Sequence, residues 1–177
     1  MIMQVLDKQF EPFITEAAIL QRIKIVCAAL NEKYEGQSPV FLAILNGSFM
    51  FAADVMKHIN IPCEISFVKI ASYSGLSSTG QHQMLIGLNQ SLKNRPVIIL
   101  EDIIDTGNTL HQFLPVLQKE EPASISIFTL LTKPDAIQVP LEIDYIGFEI
   151  PNKFVIGYGL DYNGYGRNLR HVYQLAQ

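Results

Sequence analysis

Residues 97–100, Val-Ile-Ile-Leu, constrain this chain more than any other stretch. A strand with one face in water alternates apolar and polar residues, whereas an unbroken β-branched run marks a strand covered on both faces. Covering both faces takes helices, which points to a layered α/β chain. The rest of the sequence agrees. Val40–Leu45 is a second short apolar run, leading through Asn46-Gly47-Ser48 into a helix expected over Phe49–His58. Strands are also expected over 64–70, 124–131 and 144–149. Residues 14–31 predict an amphipathic helix, with Ile19, Ile23, Val26 and Leu30 on one face. A further helix is expected over 107–119, where Pro115 should kink or end it. The β-α-β-α order predicts a mainly parallel central sheet flanked by helices.

No repeat, low-complexity tract or linker divides the 177 residues, a length within the roughly 100–200 of a single domain. Hydrophobic residues make up 49% and charged residues 17%, which excludes a disordered chain. Thirteen Lys+Arg against 17 Asp+Glu leave a net charge of −4, so the broad basic face that nucleic acid or anionic lipid requires is not expected. Cys27 and Cys63 stand far apart without CxxC spacing and read as free, reduced, buried thiols. The opening MIMQVLDKQFEPF lacks the basic segment and apolar run of a secretory signal. No apolar stretch approaches the ~18 residues of a membrane span. The glycosylation patterns at Asn46 and Asn89 carry no weight without a secretory signal, and a cytoplasmic placement is expected.

Residues 72–82, SYSGLSSTGQH, have almost no apolar anchor. A polar loop of this length is either disordered or a lid over a site, and the residues alone leave both readings open. The chemistry concentrates in VIILEDIIDTGNTL, residues 97–110. The strand is expected to end at Leu100, followed by Glu101, Asp102 and Asp105, and then by Thr106, Gly107, Asn108 and Thr109 where a helix should begin. Ligands of open α/β sheets bind at the carboxyl ends of the strands. A glycine-containing turn into a helix N-terminus offers unpaired N–H groups and a positive dipole end to a phosphate. No lysine follows the glycine, so this is not the Walker pattern, and a sugar monophosphate suits it better than a nucleoside triphosphate. Adjacent acids suit the neighbouring hydroxyls of a ribose. A cluster that merely caps the helix is the plainer alternative, but it leaves the whole string behind a buried strand unexplained.

The string resembles the phosphoribosyl diphosphate signature of the type I phosphoribosyltransferases. The chain from about Phe41 to Arg170 is similar, in family order, to their purine salvage branch, the hypoxanthine (guanine) phosphoribosyltransferases. The resemblance implies a core over about 38–150, a small hood built from the N-terminal segment and about 151–177, and a mobile lid over 72–82 that begins at Ser72 and Tyr73. It implies that Glu101 and Asp102 hold the ribose hydroxyls with Mg2+ nearby, that Asp105, Thr106, Gly107, Asn108 and Thr109 wrap the 5′-phosphate, and that Asp105 is the general base towards the purine. Lys133 in LLTKP would read the six-position oxo group, Phe154 would stack on the base, and the Val155 main chain would touch the purine edge. Asp161 would lie at the purine site as a second magnesium ligand, and Arg167 would contact diphosphate. Leu45, Asn46 and Gly47 fall on the diphosphate loop, which in the family carries a non-proline cis peptide.

Each of these residues also has a plain reading: Lys133 as a loop lysine, Phe154 as core, Asp161 and Arg167 as a surface pair. The four histidines lack metal-ligand spacing and read as structural. One position departs from the family, which commonly has lysine or arginine where Asn46 stands here. The amide keeps hydrogen-bonding capacity without charge. The implied partners are phosphoribosyl diphosphate and a purine base, with homodimers or homotetramers as the family's assemblies. A non-catalytic regulator that senses phosphoribosyl diphosphate and a xanthine-preferring transferase are the alternatives.

Overall fold

The computed structural model describes residues 2–71, 83–88 and 90–176. In chain order the elements are β1 (Met3–Val5), β2 (Lys8–Ile14), α1 (Glu16–Lys33), β3 (Val40–Leu45), α2 (Phe49–His58), β4 (Glu64–Ala71), β5 (Gln83–Ile86), β6 (Pro96–Ile104), α3 (Asn108–Gln118), β7 (Ser124–Thr132), β8 (Tyr145–Glu149), β9 (Val155–Ile156) and β10 (Val172–Leu175). They form a six-stranded sheet of order β5-β4-β3-β6-β7-β8 and a four-stranded sheet of order β1-β2-β10-β9.

In the larger sheet β4, β3, β6, β7 and β8 are parallel, and β5 closes one edge antiparallel to β4. Val40 to Ala43 lie opposite Val97 to Leu100, and all eight side chains are fully buried. The apolar runs that predicted a two-sided burial are therefore the centre of the sheet. One face packs on α1 and α2 through Ile19, Ile23, Leu30, Phe51 and Val55, and the other on α3 through Leu110, Phe113 and Leu117. Thr15 caps α1 by accepting from the Ala18 N–H at 3.3 Å, a bond that satisfies one orphan donor of the first turn.

Three expectations are corrected. The strand expected to stop at Leu100 continues to Ile104, because its ladder with β7 runs on through Glu101↔Thr129 and Ile104↔Thr132 although the side chains turn polar. Pro115 does not end α3, which runs on to Gln118. It removes one N–H from the ladder, but Leu110, Phe113 and Leu117 on either side of it are buried against the sheet. Cys27 is a buried free thiol as expected, whereas Cys63 is only half-buried.

The smaller sheet is antiparallel and joins the two ends of the chain: Phe10 pairs with Leu175 and Ile14 with Val172. At the far edge of the larger sheet, Arg22 of α1 donates through Nε and Nη2 to the Ile146 carbonyl (3.2 and 2.7 Å) and through Nε to that of Gly147 (3.0 Å). Two carbonyls of edge strand β8 are thus engaged within the chain, which blunts it as a template for another strand. Among the described residues no helix is long and apolar enough to cross a membrane.

Candidate active site

Parallel strands bring their carboxyl ends to one edge, so the loops after β3, β6 and β7 open side by side. After β3 the Leu45–Asn46 peptide is cis, and the buried Ser48 hydroxyl donates to the Ile44 carbonyl at 2.6 Å. Gly47 presses directly on β6: a Cβ there would stand 1.5 Å from Asp102 Oδ2. A side chain at this position would have to displace the Asp102 carboxylate.

At the end of β6, Glu101 and Asp102 form a buried acidic pair. Among the described residues Glu101 Oε2 is buried and has no hydrogen-bond partner. Burial first, and the Asp102 charge second, push the Glu101 carboxyl well above the carboxylate range. Burial raises Asp102 from 3.8 to about 6, opposed by the Ile103 N–H and more weakly by the Arg167 guanidinium. Asp102 Oδ1 accepts from the Ile103 N–H at 2.9 Å. The turn then runs through Asp105 and Thr106 to Gly107, which caps α3 with φ +82. That φ is open to glycine at no steric cost, and a Cβ there would also crowd Val139 at 3.1 Å. Thr106 Oγ1 accepts from the Asn108 N–H at 3.4 Å, and Thr109 lies in the first turn of α3, whose N–H groups lack helical partners.

Lys133 follows β7. Its N–H donates to the Ile104 carbonyl at 3.0 Å, which ties the β6 and β7 loops together. Its side chain is 8% exposed, and Nζ meets Asp105 Oδ2 at 2.7 Å. A buried ammonium is costly unless paired, so Asp105, 49% exposed, compensates the lysine while half of its own side chain stays open to solvent.

The segment that follows β9 of the smaller sheet meets this edge at Gly159, where a Cβ would stand 1.9 Å from the Gly47 carbonyl. Phe154 is 44% exposed and is braced edge-on by Tyr162 (5.8 Å, 82°) and at a tilt by Phe10 (6.2 Å, 45°). Val155 is buried and pairs with Gln174. Arg167 donates through Nη1 to the Gly159 carbonyl at 2.7 Å and through Nη2 to Asp161 Oδ1 at 2.6 Å. Asp161 Oδ2 accepts from the Gly164 N–H at 2.7 Å.

The structure thus brings together Gly47 with Asp102, Glu101 with Asp102, Asp105 with Lys133, and Asp161 with Arg167. It does not gather Glu101, Asp102 and Asp161 around one point, since no group of three potential metal-ligating side chains exists among the described residues. Ser72 and Tyr73 lie outside the described residues. Sequence reasoning passed over Gly159, whose Cβ would stand 1.9 Å from the Gly47 carbonyl. It also missed Phe10 and Tyr162 behind Phe154. The GYG triplet at 157–159 was the one visible signal.

A parallel sheet with an acidic pair and a glycine-capped helix start at its carboxyl edge has the arrangement at which open α/β sheets bind ligands. The model of the phosphoribosyl transferase domain matches residues 14–163. The hypoxanthine-guanine phosphoribosyltransferase of Lactococcus lactis is 41% identical over 169 residues, covering 94% of this chain and 92% of that protein. The hypoxanthine phosphoribosyltransferase of Salmonella typhimurium is 40% identical, covering 92% and 93%. The crystal structure of a Staphylococcus aureus hypoxanthine phosphoribosyltransferase superposes with a TM-score of 0.89 at 40% identity, covering 94% of this chain and 91% of that one. The chain belongs to the phosphoribosyl transferase family.

Proposed function

We propose that this protein is a purine salvage enzyme that transfers ribose 5-phosphate from phosphoribosyl diphosphate to hypoxanthine, guanine or both, as the names of its relatives in Lactococcus lactis and Salmonella typhimurium describe for those proteins. The observation that carries the reading is the pairing of Lys133 Nζ with Asp105 Oδ2 at 2.7 Å one loop away from the buried Glu101–Asp102 pair. One couple suits a six-oxopurine, the other a ribose. The C1–O bond to diphosphate breaks, a C1–N bond to the purine imidazole forms, and the purine N–H proton passes to Asp105, a general-base role worth about 10²–10⁴-fold. Lys133 donates to the oxo group and Phe154 offers its exposed ring to the base. The helix start at 107–109 holds the 5′-phosphate. The Asn46 and Gly47 main chain and Arg167 face diphosphate, where positive charge stabilises the departing anion.

Glu101 and Asp102 also suit Mg2+, a hard cation that takes oxygen ligands and is commonly held by one or two carboxylates together with substrate phosphates. The orphaned Glu101 Oε2 is the available ligand, and bound magnesium would neutralise diphosphate charge. Asp161 would serve as a second ligand only by giving up Arg167. Pairing of β2 with β10 supports residues 1–177 acting as one domain with its hood. A spectrophotometric assay of the purified protein with Mg2+ and phosphoribosyl diphosphate, offering hypoxanthine, guanine, xanthine and adenine separately, tests the reading. Turnover of either of the first two is expected. Turnover of xanthine alone, or of no base, would overturn it.

A further inference from the structure

Tyr158 lies outside every role given above, yet few side chains in the molecule are more constrained. It is 1% exposed, and its backbone sits at φ +50 between Gly157 at +91 and Gly159 at +101. A bulky residue in the left-handed region is strained and persists only where its surroundings over-determine it. Two bonds do so. Its N–H donates to the Leu169 carbonyl at 2.7 Å, and its hydroxyl donates to Asp54 Oδ2 at 2.5 Å, across 104 residues of sequence. Asp54 belongs to α2, the helix that starts directly after Asn46-Gly47-Ser48, and its other oxygen is held by Lys57 at 2.7 Å. Burial and the Asp54 charge hold the phenol proton in place, so the hydroxyl is a permanent donor.

The next residue explains what the bond does. Gly159 backs onto the Gly47 carbonyl so closely that no Cβ fits between them. Its own carbonyl receives Arg167 Nη1, and its N–H donates to the Arg167 carbonyl at 3.0 Å. Gly47 in turn abuts Asp102. From Asp54 an unbroken line of contacts therefore runs through Tyr158 and Gly159 to Gly47 and Arg167.

We propose that the Tyr158–Asp54 hydrogen bond is a positioning element for diphosphate: it clamps the 157–159 turn onto the loop after β3 and so sets the relative placement of the Gly47 main chain and the Arg167 guanidinium. This rests on the reading of that loop and Arg167 as the diphosphate site. Neither Tyr158 nor Asp54 touches substrate; both act through the groups they hold.

Tyr158→Phe keeps the packed ring and removes only the hydroxyl, and Asp54→Ala removes both acceptor oxygens. Each is compared with the wild type and with the double variant by calorimetric titration with magnesium diphosphate, by steady-state kinetics and by thermal melts. Either variant should weaken diphosphate, and raise KM for phosphoribosyl diphosphate, about tenfold, the scale of one hydrogen bond to a charged partner. KM for the purine should stay within about twofold, and the double variant should be no worse than the singles, as expected for two groups acting as one unit. A lower Tm with unchanged diphosphate affinity, equal rises in both KM values, or additive losses would each overturn the inference. A wild type that binds no magnesium diphosphate would overturn the diphosphate reading and this inference together, whereas variants that bind as tightly as a competent wild type overturn this inference alone.

Discussion

Replacing Glu101 by glutamine should make the ligand-free protein more stable as pH rises. Burial and the neighbouring Asp102 hold the Glu101 carboxyl well above its ordinary value of 4.5, so the folded chain keeps a proton that the unfolded chain releases near that pH. Where the folded state binds more protons, stability falls as pH rises. The loss is about 1 kcal/mol between pH 4.5 and 5.5, and approaches about 1.4 kcal/mol for each further unit over which the folded carboxyl stays protonated. Glutamine has nearly the same shape, can donate its amide towards Asp102, and does not titrate. For a chain of this size the first of those steps corresponds to a gain of about 2–4 °C in Tm over the wild type. Asp102, raised to about 6 mainly by its own burial, destabilises in the same direction but is present in both proteins and largely cancels in the difference. Circular dichroism melts at pH 4.5, 5.5 and 6.5 without ligand measure it. A second set with Mg2+ and phosphoribosyl diphosphate should show the wild type rising in Tm, as a ligand specific to the folded state requires, and Glu101→Gln rising far less. A Tm difference that is the same at all three pH values would refute the account of Glu101 as a buried, proton-holding acid.

Three further substitutions test the neighbouring groups. Asp105→Asn leaves an oxygen for Lys133 Nζ but removes the charge that compensates it, so the melt should shift to lower temperature while turnover falls by about 10²–10⁴-fold; turnover close to wild type would remove Asp105 from the chemistry. Lys133→Met should raise KM for hypoxanthine by about tenfold or more, the scale of one charge-assisted hydrogen bond, with KM for phosphoribosyl diphosphate within about twofold, and a parallel rise in both would mean that Lys133 does not read the base. Gly159→Ala introduces a Cβ 1.9 Å from the Gly47 carbonyl at a backbone φ of +101; it should cost about 1–3 kcal/mol in chemical denaturation and weaken phosphoribosyl diphosphate more than the purine, and an unchanged denaturation midpoint would show that the two loops are not locked together.

The parts of the fold that burial dictates could be read from the residues. β3 and α2 have the bounds expected of them, because an apolar run and an amphipathic decamer leave little choice. The acids at 101, 102 and 105 and the glycine turn were legible for a similar reason: few structural roles require that string behind a buried strand. The smaller sheet was not legible from periodicity. β9 has two residues and β10 four, too short to show alternation, and their pairing with β2 spans nearly the whole chain. Only the family resemblance pointed to a hood there. Gly47 and Gly159 face the same difficulty. Their requirement for a bare Cα comes from each other and from Asp102, residues far apart in sequence. The pairing of Asp161 with Arg167 likewise depends on how the 157–169 segment doubles back, which no local pattern encodes.

The joining of the two chain ends has a temporal consequence. Gln174 meets Glu11 across 163 residues, and Tyr162 reaches Asp7 across 155. At about 5–20 residues per second of synthesis, β2 waits on the order of 10–30 s for the strand that covers its edge. The larger sheet, and with it the acidic strand end and its glycine-capped helix, is complete once β8 has been made. The aromatic wall of Phe10, Phe154 and Tyr162 is completed only as the last segment emerges. A nascent chain with about 150 residues outside the ribosome should therefore present the acidic strand end, the glycine-capped helix start and the Lys133–Asp105 pair before the aromatic wall exists.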